Sequence, residues 1–407
     1  MKILIATNTF PTNKDGVSEA ASVMASAFLE KGWNVEIVTE PIVPAREALE
    51  WKGIPIYEFK ITGATKFPYP LVGEVGAYRR FLMAGSWDVI IFHSYAWPLY
   101  AAAPILEKLI ARKVLVSHGY GALQWIPAKK PPFGFAQLAR SIVQSLRMLT
   151  WLKKIDRVVY LSERRDWKAF YDHRLASLIG HPGIRVIPNG VDSDARRVVS
   201  PRFRESLGVP KESFLLLCVA NYSRRKDQGF AARAFRRAGI TNATLVFIGS
   251  DFNEWSQKFQ REDAASLQSH SSERIIWLEK LDRESTLGAF AECDGFVLSA
   301  DHEAQPIALL EAMREQKPWI ARAAGCISEM PGGVCVHSEK EMAKQMIHLA
   351  GDQKVRTTLG KQGHQAVEET YNRQHYIDAY CKLVTEMTDI KSDRLAAQFS
   401  QTNTNAP

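Results

Sequence analysis

The sequence predicts an α/β protein made of two doubly wound domains, each a parallel sheet wrapped by helices. Three observations predict it. The chain has 407 residues, more than one compact core usually holds. Apolar runs of strand length alternate with stretches of helical period, the signature of parallel strands joined by crossover helices. A turn-rich segment near residue 190 interrupts that alternation, and the same pattern then starts again.

In the first half, Lys2 to Ala6 reads as a buried strand, and its apolar run is too short for a signal-peptide core. Val17, Ala20, Ala21, Met24, Ala27 and Phe28 follow at helical spacing up to Gly32, an amphipathic helix with a glycine stop. Val35 to Val38, Asp88 to Phe92, Lys113 to Val116 and Arg157 to Leu161 repeat the strand pattern. Ile187-Pro188-Asn189-Gly190-Val191-Asp192 packs turn formers together, and a polar, basic stretch to about Pro210 follows, so the hinge is placed there. Strands recur at Phe214 to Val219, Thr244 to Ile248, Arg274 to Leu278, Gly295 to Leu298 and Trp319 to Ala321. These divide the chain into domains at 1–189 and 190–372, with a closing helix over 373–399 that returns to the first domain. Residues 400–407 are polar and read as a disordered tail. Ligands of open parallel sheets bind outside the carboxyl ends of the strands, so the expected site is a cleft between two such sheets.

Composition narrows the function classes. Ten tryptophans need real interiors, which excludes general disorder. Five widely spaced cysteines without a CxxC pair argue against disulfides or zinc and fit a reducing cytoplasm. No apolar stretch is long enough to span a membrane. The net charge of +8 is uneven: residues 1–189 carry 24 Lys and Arg against 15 Asp and Glu, and the remainder is nearly balanced. Such asymmetry points to an acidic partner of the first half, or to solubility alone. Lys129-Lys130-Pro131-Pro132-Phe133 leads into a helical stretch with Leu138, Ile142, Leu146 and Trp151 beside Arg140, Arg147, Lys153 and Lys154. That mixture reads as a membrane-surface element or as a core helix with a solvated basic face.

Chemistry concentrates after the strand Gly295 to Leu298, in Ser299-Ala300-Asp301-His302-Glu303-Ala304-Gln305-Pro306-Ile307-Ala308-Leu309-Leu310-Glu311-Ala312-Met313. Pro306 suits the first helical position, which puts Glu303 just before a helix and Glu311 about two turns inside it. Free amides at the helix start favour an anion, while the two carboxylates accept hydrogen bonds from hydroxyls on two parts of one ligand. A polyhydroxylated phosphate ester satisfies both, although a capped surface helix with two solvated glutamates fits the same letters.

This segment resembles the Glu-x7-Glu motif of the retaining GT-B glycosyltransferases of family 4 (glycosyl transferases group 1), with Glu303 and Glu311 in the glutamate positions. Further matches fall in family order. Asp15-Gly16-Val17-Ser18-Glu19 resembles the Gly-Gly-x-x-Glu loop, with Gly16 retained. Ser117-His118-Gly119 is similar to the family's His-Gly, whose imidazole lies over the donor sugar; His93, closing the preceding strand, is a weaker second candidate. Pro188-Asn189-Gly190-Val191-Asp192 matches the interdomain Pro-Asn-Gly-Val-Asp. Ala220-Asn221-Tyr222-Ser223-Arg224-Arg225-Lys226 is similar to Gly-Arg-x-x-x-x-Lys-Gly: Lys226 takes the phosphate-binding lysine's place, but Asn221 replaces the arginine, leaving Arg224 or Arg225 to substitute. Glu303-Ala304-Gln305-Pro306 departs from Glu-x-Phe-Gly, and since proline has no amide, Ile307 and Ala308 must supply the helix-start donors.

The resemblance implies two Rossmann-like domains and a retaining transfer of a sugar from a nucleotide-diphosphate donor to a glycan or lipid-linked acceptor, in cell-surface polysaccharide or lipopolysaccharide synthesis. It implies Glu303 and His118 as catalytic residues. Gly16, Arg224, Arg225, Lys226, Ile307, Ala308 and Glu311 would bind the donor. No cofactor is expected, the nucleotide sugar being a co-substrate. No catalytic metal is expected either, because Asp-x-Asp occurs as Asp192-Ser193-Asp194 in the hinge turn and not at a strand end. Family members that extend lipid-linked glycans often dock on the membrane through the first domain. The acidic partner is therefore an anionic membrane or phosphate-bearing lipid, not nucleic acid, and the protein is placed in the cytoplasm or on the inner face of the membrane. A nucleotide-sugar epimerase of the same fold and a non-catalytic partner subunit remain as alternatives.

Overall fold

The computed structural model describes residues 1–11, 16–42, 45–63, 70–120, 133–192, 202–266 and 274–403, with backbone alone at 133–138, 140 and 390–403. Two compact units divide the chain: Met1–Ile187 together with Tyr376–Pro407, and Pro188–His375.

The first unit holds β1 (Lys2–Ala6), β2 (Asn34–Thr39), β3 (Glu50–Trp51), β4 (Ile54–Glu58), β5 (Ile61–Thr62), β6 (Val72–Gly73), β7 (Val89–His93), β8 (Arg112–Val116), β9 (Arg157–Tyr160) and β10 (Ile184–Val186). Eight of these form one sheet in the order β10-β9-β8-β7-β1-β2-β4-β3, with β5 and β6 pairing separately. Every neighbour in the large sheet is parallel except β3, which pairs antiparallel with β4. The apolar runs are continuous because both faces are covered. In β1, Leu4 and Ala6 join one core while Ile3 and Ile5 join the other, as the two-residue strand period requires.

The helix Gly16–Glu30 supplies Met24 and Phe28 to the second of those cores. The final helix, Arg373–Asn403, begins in the second unit, and its Tyr376, Tyr380, Leu383, Val384 and Met387 complete that core in the first. The Tyr376 hydroxyl donates to the carbonyl of Ala20 at 3.1 Å. The helix continues to Asn403, so the expectation of a disordered tail from Ser400 is corrected for its first four residues; intrahelical bonds need no apolar side chains to continue a ladder already formed. Residues 404–407 lie outside the described residues, as do Asp15, Lys129 to Pro132, Ser193 and Asp194.

The second unit holds β11 (Phe214–Val219), β12 (Ala243–Gly249), β13 (Arg274–Glu279), β14 (Gly295–Leu298), β15 (Trp319–Arg322) and β16 (Gly333–Val336). They form one parallel sheet in the order β13-β12-β11-β14-β15-β16. In both large sheets the chain first builds outward on one side and then returns to build on the other. The reversal falls between β1 and β7 in the first unit and between β11 and β14 in the second. A crevice opens at such a point because the crossovers on its two sides leave toward opposite faces. Among the described residues, no helix is long and apolar enough to cross a membrane.

Tyr380 is 1% exposed within the core completed by the last helix. Tyr380→Ala is expected to cost about 3–5 kcal/mol of stability, read from the shift of a urea unfolding curve.

Candidate functional site

The loops following β11 and β14 lie at the reversal of the second sheet and carry the charged residues. They are stitched together by backbone: Asp301 N donates to the Arg225 carbonyl at 3.1 Å, and Ser299 Oγ donates to the Lys226 carbonyl at 2.9 Å. Lys226 Nζ forms an ion pair with Glu303 Oε1, the glutamate side chain being 10% exposed. Burying a carboxylate is costly unless a partner meets it, and Lys226 is that partner. Asp227, at φ 43°, turns the chain sharply and caps the helix Gln228–Ala238 by accepting from Phe230 N at 3.3 Å. Burial raises its carboxyl above the usual range, against the pull of Arg233 and Arg322. Arg322, at the end of β15, reaches both Asp227 Oδ2 at 3.3 Å and the Ser299 carbonyl at 3.2 Å.

Glu311 lies on the helix Ile307–Arg314 and is buried, with Arg283 as its ion-pair partner. Pro306 is the residue before this helix, in extended conformation, and not its first helical residue. The correction moves the helix start to Ile307 and brings Glu311 to little more than one turn inside it. No side chain caps the helix, and the Pro306 carbonyl accepts from Leu309 N at 3.1 Å, so Ile307 and Ala308 supply the first amides, which have no intrahelical acceptor.

Gln305 is buried, and its pairing explains how the departure from the family's phenylalanine is accommodated. Its side-chain oxygen accepts from Asn189 N at 2.6 Å, and its carbonyl accepts from Asn189 Nδ2 at 3.3 Å. The turn carrying Asn189 is itself fixed to the start of the last helix: Val191 N donates to the Tyr371 carbonyl and Arg373 N to the Val191 carbonyl, both at 2.8 Å. A Cβ at Gly190 would lie 2.4 Å from the Asn372 carbonyl oxygen, so glycine is needed for this close approach. Gly325 does the same behind Glu303: its φ is +53°, and a Cβ there would meet the Glu303 carbonyl oxygen at 2.2 Å.

In the first unit, Gly16 opens the helix that follows β1, and His93 closes β7, its neighbour across the reversal. His118 follows β8, with its Nε2 3.2 Å from His93 Nδ1. Burial, and then His118, hold the His93 pKa well below the usual histidine range. Beside them Ser117 Oγ donates to Asp172 Oδ2 at 2.5 Å and accepts from Gly119 N at 3.2 Å. Asp172 is fully buried, and desolvation pushes its pKa up to about 7.

The second unit thus joins Lys226, Arg225 and Glu303 in one loop pair and holds Glu311 through Arg283. Arg225 reaches the His302 carbonyl only at 3.5 Å, while Arg224 and Asn221 are exposed. Arg283, Arg322 and Asp172 were not legible as site residues: each sits on an element whose role appears only once the strands are ordered. Among the described residues, no three His, Cys, Asp or Glu side chains converge to hold a metal ion.

Comparison with known proteins places the family and the fold. Residues 14–195 match the model of Glycosyltransferase Family 4, and residues 199–366 match that of Glycosyl transferases group 1. The chain is 20% identical over 401 residues to N-acetyl-alpha-D-glucosaminyl L-malate synthase of Bacillus anthracis, covering 93% of this chain and 96% of that one. Among solved structures it is similar to sucrose-phosphate synthase from Thermosynechococcus elongatus, with a TM-score of 0.71 at 16% identity, covering 97% of this chain and 99% of that one. It is also similar to the Anabaena HepE protein in complex with UDP, with a TM-score of 0.70 at 15% identity, covering 95% of this chain and all of that one. The same Anabaena protein has also been solved with UDP-glucose.

Gly325→Ala is expected to destabilise the protein by about 1–3 kcal/mol, measured by urea unfolding, because the backbone behind Glu303 must yield. Asp172 gives a pH signature. Its folded pKa near 7 lies above the ordinary 3.8, so between these values the folded state holds a proton that the unfolded state has released. Stability therefore falls as pH rises from about 4 to 7, and Asp172→Asn should remove that part of the fall in unfolding curves taken across the range.

Proposed function

The chain belongs to the family 4 glycosyltransferases of the GT-B fold, and from that footing we propose that it moves a sugar, with retention of configuration, from a nucleoside-diphosphate sugar to a glycan or lipid-linked acceptor. The observation that carries this reading is the Lys226–Glu303 pair at the strand reversal, beside a helix whose first amides are uncapped. A cation and a helix N-terminus suit a diphosphate, and a neighbouring carboxylate suits sugar hydroxyls. The Anabaena protein's complexes with UDP and UDP-glucose support a donor of this class.

In the reaction, the bond between the anomeric carbon and the phosphate oxygen breaks as the bond to the acceptor oxygen forms. The acceptor's proton passes to the departing diphosphate on the same face, leaving a nucleoside diphosphate and the glycosylated acceptor. Charge grows on the leaving oxygens, and Lys226, Arg225 and the amides of Ile307 and Ala308 are the donors that meet it. Glu303 leaves Lys226 to accept from sugar hydroxyls, Glu311 accepts from the ribose, and His118 contacts the sugar. Gly16 lets the backbone approach the ligand closely. Arg224, exposed and without an ion pair among the described residues, is a secondary contact to the diphosphate. No metal enters this scheme, because the cations that face the diphosphate are side chains.

The acceptor is read as a lipid-linked glycan in cell-surface polysaccharide or lipopolysaccharide synthesis, with the protein in the cytoplasm or resting on the membrane's inner face. Ile142 and Leu146, one turn apart on the helix Phe133–Leu152, are 52% and 58% exposed, within the half of the chain that holds the basic excess. The same helix buries Met148, Trp151 and Leu152, so the core face and the surface face belong to one element.

A thermal-shift screen of UDP, GDP, ADP and their sugars should identify the donor, since a ligand of the folded state raises its melting temperature. With that donor, Lys226→Ala is expected to lower kcat about 10²–10³-fold and Glu303→Gln to reduce transfer severely; unchanged transfer in both would overturn the assignment. Conversion of the donor's sugar by protein alone, without transfer, would identify an epimerase. The full chain should bind vesicles of anionic lipid at low salt and release them as salt rises, whereas indifference to the vesicles would assign the basic charge to solubility.

A further inference from the structure

His93 does more than close a strand. It is fully buried at the carboxyl end of β7, the strand that meets β1 at the reversal of the first sheet. Its ring lies nearly parallel to that of His118, at 24° with centroids 5.4 Å apart, and its Nδ1 is 3.2 Å from His118 Nε2. Its other nitrogen, Nε2, is buried without a hydrogen-bond partner among the described residues.

We propose that His93 is a positioning residue for His118: its Nδ1–H donates to His118 Nε2, which fixes the His118 ring and confines the His118 proton to Nδ1. The unpartnered nitrogen decides the direction of the bond. A neutral imidazole carries one N–H and one acceptor nitrogen. With the proton on Nε2, His93 would bury an N–H with no acceptor, and orphaned buried N–H groups are rare. With the proton on Nδ1, the donor is satisfied and only an acceptor goes unmet. His93 is neutral in the folded protein because burial and the adjoining imidazole both disfavour its cation.

The turn that carries His118 is held independently on its other side. Ser117 Oγ links Asp172 to Gly119 N, so the residues before and after His118 are both anchored to a buried carboxyl group. Tyr171 N donates to the Tyr120 carbonyl at 2.9 Å, extending the anchorage by one residue. Orientation of the backbone by Asp172 and of the imidazole by His93 together leave His118 one ring position and one tautomer. The inference rests on the reading of His118 as a sugar contact and deepens it: His118 serves as a fixed Nδ1–H group and not as a base acting through Nε2.

The test is histidine side-chain ¹⁵N–¹H correlation spectroscopy on the full chain without ligand, with His118→Gln identifying the His118 signals. The wild type should show His118 as a single Nδ1–H tautomer. His93→Phe, which keeps the ring but removes its nitrogens, should shift His118 mainly to the Nε2–H form that free histidine favours. His93→Asn, which places an amide donor near the former Nδ1, should restore the Nδ1–H form. A wild-type His118 protonated at Nε2, or a tautomer unmoved by His93→Phe, overturns the proposal. Should His93→Phe fail to fold, the wild-type and His93→Asn spectra decide it. The spectra need no substrate, so a failure here is distinct from a failure of the sugar-contact reading, which His118→Gln tests by transfer.

Discussion

A parallel strand cannot be reached by a hairpin. Each of the two large sheets is therefore built from crossovers that return the chain to the same edge before the next strand begins, and almost every strand ends on one side of its sheet. The position of the reversal then determines which two carboxyl ends flank the crevice. In the second unit these are β11 and β14, which explains why Lys226 and Glu303 meet although 77 residues separate them. In the first unit they are β1 and β7, which explains why Gly16 and His93 belong to the same edge.

The charges of the second unit are stored as pairs. Glu303 is held by Lys226 and Glu311 by Arg283, so neither buried carboxylate faces a low-dielectric interior alone. A ligand entering such a site exchanges one partner for another instead of stripping water from bare ions, a lesser cost than desolvating them from solution. The glycines behind the site serve the same end. At Gly190 and Gly325 the backbone of one segment passes where a side chain of another would stand, which lets the loops approach closely enough for the backbone hydrogen bonds from Val191 N to the Tyr371 carbonyl and from Cys326 N to the Ala304 carbonyl.

The departures from the family pattern acquire physical meaning from their neighbours. Gln305 replaces an aromatic residue in a buried position, a substitution that would leave its side-chain oxygen unmet, and Asn189 from the Pro-Asn-Gly turn donates its backbone N–H to that oxygen while its side chain donates to the Gln305 main-chain carbonyl. Pro306 ends the loop in extended conformation and passes the role of first helical residue to Ile307. The last helix shows the reach of such coupling. It starts beside the Pro-Asn-Gly turn in the second unit and then closes a core in the first, so one element belongs structurally to both.

The sequence by itself determined the α/β class, ten of the strands, the restart of the pattern after residue 190 and the glycosyltransferase motif, because periodicity and short motifs are local in the chain. It also picked out Lys226, Glu303, Glu311 and His118, since each follows or belongs to a recognisable strand or helix. It overlooked β3, β4, β5, β6, β10 and β16, which are short or only partly covered and carry little apolar pattern. Strand order was decided only in three dimensions, and with it the partners: Arg283 for Glu311, Asn189 for Gln305, His93 for His118 and Asp172 for Ser117. No local rule links residues dozens to more than a hundred positions apart. Packing against a common sheet does, because it fixes which strand ends are neighbours before any side chain finds its partner.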